Sequence, residues 1–300
     1  MLHFTLRQLR VFDAVARHLS FSRAAQALHL TQPAISMQVK QLEESAGLPL
    51  FEQLGKKIYL TEAGREFHHY CRNILQQLTE AEAVLDELKG VERGKLTISV
   101  ASTASYFTPQ LLARFCQRFP KATVSLNVTN REHLLQLLAH NETDMVIMGR
   151  PPEGLDLEAV SFMGNPLVII APVSHPLANA HDIPLSRLAE ETFLVREQGS
   201  GTRIAMERFF ADQGIHLTTG TEMSTNEAIK QAVQAGMGLG ILSLNTIALE
   251  LETKRLAVLN VQNFPIQRHW YVVHRKGKRL SPVTRAFKAF LLEQDVQPLP

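Results

Sequence analysis

Residues 21–47 read FSRAAQALHLTQPAISMQVKQLEESAG, two short amphipathic stretches joined by a tight polar turn. In the second stretch Ile35, Val39, Leu42 and Ala46 recur at i, i+4, i+7 and i+11 and define one buried helix face. Gln32, Ser36 and Lys40 define another, beside Pro33 and Met37. Glutamine, serine and lysine hydrogen-bond base edges, and apolar groups touch thymine methyls, when a helix lies in a DNA major groove. An ordinary solvated face is the plain alternative, and the flanking elements weigh against it.

Upstream, TLRQLRVFDAVARHLS (5–20) places Leu6, Leu9, Phe12, Val15, Ala16 and Leu19 on one stripe, which predicts a first helix. Ser22 is the expected cap of a second helix carrying Ala24, Ala25 and Leu28; LHLT (28–31) is the turn, and Thr31 caps the third helix with Pro33 in its first turn. Downstream, LFEQLGKKIYLT (50–61) has a Gly55-Lys56-Lys57 tip between short alternating runs, the pattern of a hairpin. The order is that of a winged helix-turn-helix. Residues 1–65 hold eight Lys/Arg against five Asp/Glu, and residues 66–90 two against five, so the basic excess sits with this module. Arg23, Lys56 and Lys57 are the expected phosphate contacts, which supply affinity and salt dependence without sequence information.

Thr61 caps a further helix whose Phe67, Cys71, Ile74, Leu78, Ala81, Leu85 and Leu88 are spaced 4, 3, 4, 3, 4, 3, an a/d seam expected to pair two subunits. His68 and His69 are adjacent on it and diverge by about 100°, which suits solvation or packing better than chelation. Cys71 reads as a small apolar packer. After Gly90 short apolar runs such as LTISVA (96–101), DMVIMG (144–149) and WYVVHR (270–275) alternate with helical patterns, which predicts α/β architecture with largely parallel sheets. Ligands in such folds bind beyond the C-terminal ends of the strands.

Composition is that of an ordinary globular chain: 45% hydrophobic, 20% charged, net charge +2. Two cysteines far apart, in no CxxC context, predict neither a disulfide framework nor a metal site. The N-terminus lacks a signal-peptide apolar core and no apolar run reaches membrane-span length, so a cytoplasmic location without membrane contact is expected.

The stretch FSRAAQALHLTQPAISMQVKQLEESAGLPLFEQLGKKIYLTEAG (21–64), the long helix, and the GSGTR (199–203) and AGMGLGIL (235–242) segments together resemble the LysR-type transcriptional regulators. LFEQLGKKIYLTEAG with ISVASTASYFTPQLLARFCQRFP is most similar to the regulators of Calvin-cycle (RuBisCO) operons. The resemblance implies a winged helix-turn-helix over residues 1–61, a dimerisation helix over 62–90, and a two-lobed effector domain like a periplasmic binding protein over 91–300. Lobe one would comprise 91–163 plus 268–300 and lobe two 164–267, joined by crossover strands near 162–168 and 264–270. It further implies a homotetramer on double-stranded promoter DNA, RNA polymerase as a partner, and activation of carbon-fixation genes in response to a small anionic effector: a sugar phosphate, phosphoenolpyruvate or NADPH, with aromatic acids or amino acids as the main alternatives. Many relatives carry an arginine where this wing has Gln53, which shifts the expected minor-groove contact to Lys56 and Lys57.

Two loops fit that effector. Ser102, Thr103 and Ser105 follow the first strand after Gly90; Gly199, Ser200, Gly201, Thr202 and Arg203 lead into a helix, where free N–H groups, hydroxyls and an arginine suit a carboxylate or phosphate. Either loop alone is more simply a cap or turn. Thr129 and Asn130 are further candidates, with Gly149 and Asn226 behind them. AGMGLGIL follows a helix and lacks the spacing of a dinucleotide fingerprint. A solute receptor on the same fold would have no use for residues 1–90, and an enzyme would need a nucleophile, acid/base pair or cofactor loop that the sequence does not offer. No enzymatic activity, resident cofactor or metal is expected.

Overall fold

Thr5 opens the first helix, α1 (Leu6–His18), with a reciprocal cap: its hydroxyl accepts from the Gln8 N–H at 3.2 Å, and the Gln8 side chain accepts from the Thr5 N–H at 2.7 Å. In this computed structural model, which describes residues 4–55, 57–88 and 94–293, α2 spans Phe21–Ala27 and α3 spans Gln32–Ala46. Ser20 rather than Ser22 caps α2, accepting from the Arg23 N–H at 3.3 Å. The helix starts one residue before the expected cap because Phe21 is drawn onto Phe51, their ring centroids 6.0 Å apart. Thr31 caps α3, and Gly47, at φ +73°, ends it. The hairpin β1 (Phe51–Leu54) and β2 (Lys57–Leu60) follows, then α4 (Glu62–Leu88), 27 residues long and so on the order of 40 Å.

The first helix is the centre of this unit. Its Val11, Ala14 and Val15 pack on Ala24, Ala25, Ile35 and Val39, while Leu9 and Phe12 pack on Leu42, Leu50 and Cys71. With partners on two sides it buries a wider face than one stripe, and the expected stripe ends, Leu6 and Leu19, are exposed. The start of α4 is held so close to the hairpin that a Cβ on Gly64 would lie 1.9 Å from the Leu50 carbonyl oxygen.

That packing corrects the expected seam. Phe67 lies edge-on to Phe4 and Phe12, and Cys71 is fully buried with its thiol donating to the Leu9 carbonyl at 3.3 Å. Both belong to the core of their own winged domain, because the opening turns of α4 are covered by α1. Further along, Leu78 is half-buried and Ile74, Ala81 and Leu85 are exposed. The Leu88 side chain and Lys56 lie outside the described residues.

The second unit, treated by itself, contains every later element. In order these are β3 (Gly94–Ala101), α5 (Thr108–Arg118), β4 (Ala122–Thr129), α6 (Arg131–Ala139), β5 (Met145–Met148), β6 (Leu157–Gly164), β7 (Leu167–Pro172), β8 (Thr192–Arg196), α7 (Gly201–Asp212), β9 (Thr218–Met223), α8 (Asn226–Gln234), β10 (Leu239–Ser243), α9 (Ala248–Glu252), β11 (Leu256–Val258), β12 (His269–Arg275) and α10 (Pro282–Glu293). They form two five-stranded sheets, ordered β4-β3-β5-β12-β6 and β11-β7-β10-β8-β9.

Each sheet is parallel except for one strand: β12 runs against β5 and β6, and β7 against β10 and β11. These are the two strands that enter a lobe from the other, so they arrive in the opposite sense. Between the lobes the chain passes twice as a hydrogen-bonded pair, the Asn165 N–H donating to the Arg268 carbonyl at 2.8 Å and Leu167 and Ile266 exchanging N–H···O bonds at 3.0 Å. Apolar side chains cover both faces of each sheet, as the near-continuous apolar runs of β5 and β7 require. The C-terminal ends of β3, β4 and β5 in lobe one and of β8 in lobe two line a shared cleft.

Candidate functional site

Two sites emerge, one in each unit. On α3 the buried face is Ile35, Val39 and Leu42, and the opposite side leaves Gln32, Pro33, Met37 and Lys40 exposed with Ser36 half-buried. Gln32 Nε2 donates to Ser36 Oγ at 2.9 Å, so two expected base-reading groups are already oriented together. Met37 is 54% exposed and presents an apolar group on the same side as these polar ones. Arg23 and Lys57 are exposed on α2 and β2. Gln53 Nε2 turns back onto the Gly55 carbonyl at 2.9 Å and shapes the wing tip. The wing is fixed to α3 by Glu43, whose Oε1 accepts from the N–H groups of Leu50 and Phe51 at 2.8 and 3.0 Å.

In the second unit a small inner cavity of about 30 Å³ lies between the lobes. The structure places Ser102, Thr103, Asn130, Gly149, Ser200, Gly201 and Thr202 on its wall. Thr129 and Arg203 are not on it. Arg203 is occupied on the far side of α7, bonded to Glu207 at 2.7 Å, Glu222 at 2.5 Å and the Arg196 carbonyl at 3.0 Å. Those carboxylates hold it charged and away from the cavity, and its pKa is raised by them.

The arginines of the cleft are others. Arg196, 3% exposed at the end of β8, forms a two-pronged ion pair with Glu197 (2.7 and 2.9 Å), donates to Asn226 Oδ1, and crosses to Ser102 Oγ in lobe one at 3.2 Å. Arg131 opens α6, and Arg268 lies on a crossover segment; neither guanidinium has a hydrogen-bond or ion-pair partner among the described residues. Loss of solvent lowers the pKa of Arg131, and for Arg268, with Arg131 adding repulsion, it pulls the guanidinium down to about 10. Both stay charged at neutral pH. A Cβ on Gly149 would fall 2.4 Å from Arg268 Nη2, and one on Gly201 3.6 Å from it, so glycines leave the room this guanidinium fills.

Arg131, Gly201 and Arg268 also wall an adjoining outer chamber of about 750 Å³. Its other arginines are paired, Arg150 with Glu153 at 3.0 Å and Arg208 with Asp212 at 3.9 Å. Positive charge without counter-charge is thus concentrated on the wall the two spaces share. The sequence marks none of Arg131, Arg196 or Arg268, which come from separate elements and meet only through the fold.

A winged helix-turn-helix with an exposed reading face, followed by a two-lobed α/β unit with a charged cleft, defines a ligand-responsive DNA-binding regulator. The model of the bacterial regulatory helix-turn-helix protein, lysR family, matches residues 6–65, and that of the LysR substrate binding domain matches residues 89–295. The chain belongs to the LysR family of DNA-binding transcriptional regulators. It is 58% identical over 293 residues to the RuBisCO operon transcriptional regulator of Allochromatium vinosum, covering 98% of this chain and 97% of that protein. It is 45% identical to the HTH-type transcriptional activator CmpR of Synechocystis sp., covering 98% and 97%. Among solved structures, the Synechocystis CcmR regulatory domain in complex with 2-PG aligns with a TM-score of 0.66 at 41% identity, over 68% of this chain and 100% of that one. Full-length CbnR complexed with its target DNA shares the fold, with a TM-score of 0.72 at 23% identity over 96% and 99%. Among the described residues no helix is long and apolar enough to cross a membrane.

Proposed function

We propose that this regulator activates carbon-fixation (RuBisCO/Calvin-cycle) genes, and that a small anionic metabolite bound between the lobes of its second unit sets its activity. The observation that carries the effector half is the pair Arg131 and Arg268, cations drawn out of solvent with no acid beside them. An isolated desolvated charge is costly, and an anion resting against both removes the cost. Near-full-length identity to RuBisCO operon regulators supports the target genes, and the 2-PG complex of the CcmR domain supports a small anion as the signal. A sugar phosphate, phosphoenolpyruvate and NADPH are the candidates. The inner cavity alone is too small for any of them, so binding involves a change in lobe separation or use of the outer chamber.

On the DNA side, Gln32, Pro33, Ser36, Met37 and Lys40 read bases while Arg23, Lys56 and Lys57 hold phosphates. The exposed part of α4, with Ile74, Leu78, Ala81 and Leu85, pairs subunits, and a tetramer places two such pairs on one promoter in the cytoplasm, beside RNA polymerase. By linkage, the effector alters DNA binding or bending only as far as it binds one conformation better than another. In vitro selection of random duplexes at two salt concentrations tests this reading. Enrichment of an interrupted inverted repeat, with a footprint or bend that changes on adding the candidate anions, is the expected result. Failure to enrich any site overturns the DNA assignment; an enriched site whose footprint and bend ignore every anion overturns the effector assignment.

A further inference from the structure

One short element of lobe one is held by lobe two at both of its ends. The 3-10 helix Ser102–Tyr106 follows β3 and is braced from within, Ser105 Oγ donating to the Ser102 carbonyl at 2.7 Å and Thr108 Oγ1 to the Ala104 carbonyl at 2.8 Å. At its first residue, Ser102 Oγ accepts from Arg196, whose guanidinium also donates to Asn226 Oδ1. At its last residue, the Tyr106 hydroxyl donates to Glu227 Oε1 at 2.6 Å. Asn226 and Glu227 are consecutive residues opening α8, so one turn of a lobe-two helix secures both ends of a lobe-one element.

The Tyr106 end differs from the Ser102 end. Ser102 and Arg196 line the inner cavity, whereas Tyr106, Glu227 and Lys230 line neither it nor the outer chamber. Behind Glu227 stands Lys230, 3% exposed, whose ammonium has three acceptors for its three donors: Glu227 at 2.6 Å, Glu250 at 2.8 Å and the Thr246 carbonyl at 3.1 Å. A buried ammonium requires a counter-charge, and Glu250 supplies one inside lobe two. Glu227 is a second, and it is the carboxylate that reaches lobe one. The same ammonium lies 5.0 Å from the centre of the Tyr106 ring. Hydroxyl and ring together draw one lobe-one side chain onto a charged node anchored in the interior of lobe two.

We infer that Tyr106, Glu227 and Lys230 form a latch between the lobes, separate from the ligand cavity, that holds them together whether or not the cavity is filled. Its release lets the lobes part about the paired crossover segments. The latch thereby sets the resting balance between closed and open lobes on which any effector has to act.

Trp270 reports the opening, being the only tryptophan in the sequence, 2% exposed and on the cavity wall. The test compares the full-length protein, without added ligand, with Tyr106→Phe, Glu227→Ala and the double variant. Acrylamide quenching of Trp270 is one readout; hydrogen exchange by mass spectrometry, at labelling times that leave β3 and β10 protected, is the other. Each single variant should raise the quenching constant roughly 2-fold and speed exchange in peptides carrying the amides of Asn165, Leu167 and Ile266, which pair the crossover segments outside the latch. The double variant should go no further than either single one, because one break releases the whole latch. Should Tyr106→Phe not fold, Glu227→Ala and Glu227→Gln carry the test, the second keeping an acceptor for the hydroxyl and so changing less. Faster quenching in Tyr106→Phe alone overturns the latch, since it marks a local effect through Phe107, whose ring centroid is 5.4 Å from that of Trp270. Changes confined to peptides of the latch itself, with quenching unaltered, overturn it as well. Neither readout uses a ligand, so failure of the latch leaves the anionic reading standing, and failure of that reading leaves the latch.

Discussion

The hydroxyl of Tyr106, in lobe one, donates to Glu227 Oε1, at the start of α8 in lobe two, at 2.6 Å. Lys230, 3% exposed, completes the contact: its ammonium lies 5.0 Å from the centre of the Tyr106 ring, 2.6 Å from Glu227 and 2.8 Å from Glu250. Burial raises the Glu227 pKa, but hydrogen bonds from Lys230 and Tyr106 outweigh it and hold the carboxyl below its ordinary 4.5. A group with a depressed folded pKa contributes stability above its unfolded value and loses it as pH falls through the folded value. This bridge therefore acts fully above pH 4.5 and fades on acidification below it. Tyr106→Phe should cost about 1 kcal/mol, the bridge being partly solvated. Denaturation of wild type and Tyr106→Phe across pH 3–7 checks this, and the two curves should converge at the acid end.

Glu43 joins the reading helix to the wing through two backbone N–H groups. Glu43→Ala strands both donors next to Leu50, which is 2% exposed. A loss of about 2 kcal/mol is expected, with Glu43→Gln milder because it keeps an acceptor. Urea denaturation followed by circular dichroism measures both.

The Cys71 thiol is pushed up to about 12 by burial, with Asp13 adding to the effect. At pH 8 it stays protonated, whereas Cys116 is half-buried on α5. Thiol-specific labelling of the native protein should modify Cys116 first, and Cys71 only under conditions that open the N-terminal unit. Rapid native labelling of Cys71 would contradict its place in the core.

Ser36→Ala and Lys57→Ala should fail differently on DNA. Removing Ser36 also releases Gln32 and should cost about 1–3 kcal/mol of discrimination at particular base pairs. Removing Lys57 should weaken all sequences alike and lower the salt slope by about one. Binding assays on specific and scrambled duplexes over a salt series separate the two.

The N-terminal unit is legible in the sequence because its signals are local: caps, a Pro in the first turn of α3, a glycine at its end. The faces of α3 follow from periodicity alone. Periodicity on α4 shows that a stripe is buried but not by whom, and its partner changes along the helix, from α1 at Phe67 and Cys71 to an open face at Ile74 and Leu85. In the cleft, Ser102, Thr103, Asn130, Gly201 and Thr202 were foreseeable because strand ends converge in α/β folds. Arg203 was misleading, since adjacent residues on a helix diverge by about 100°, and Thr202 takes the cavity side while Arg203 meets Glu207 and Glu222. Asn165, Arg268 and Trp270 carry no local mark, because the crossover strands that bring them together are more than 100 residues apart in sequence.

Asn165 and Arg268 are at once part of the cavity wall and part of the paired strands joining the lobes. Mechanically, an anion bound as proposed would press on the fulcrum itself, at the short arm of the lever. On that reading a shift of a fraction of an ångström there would be magnified at the lobe rims with no relay of intervening contacts, and a substitution at either residue would change both what is sensed and how far the lobes swing.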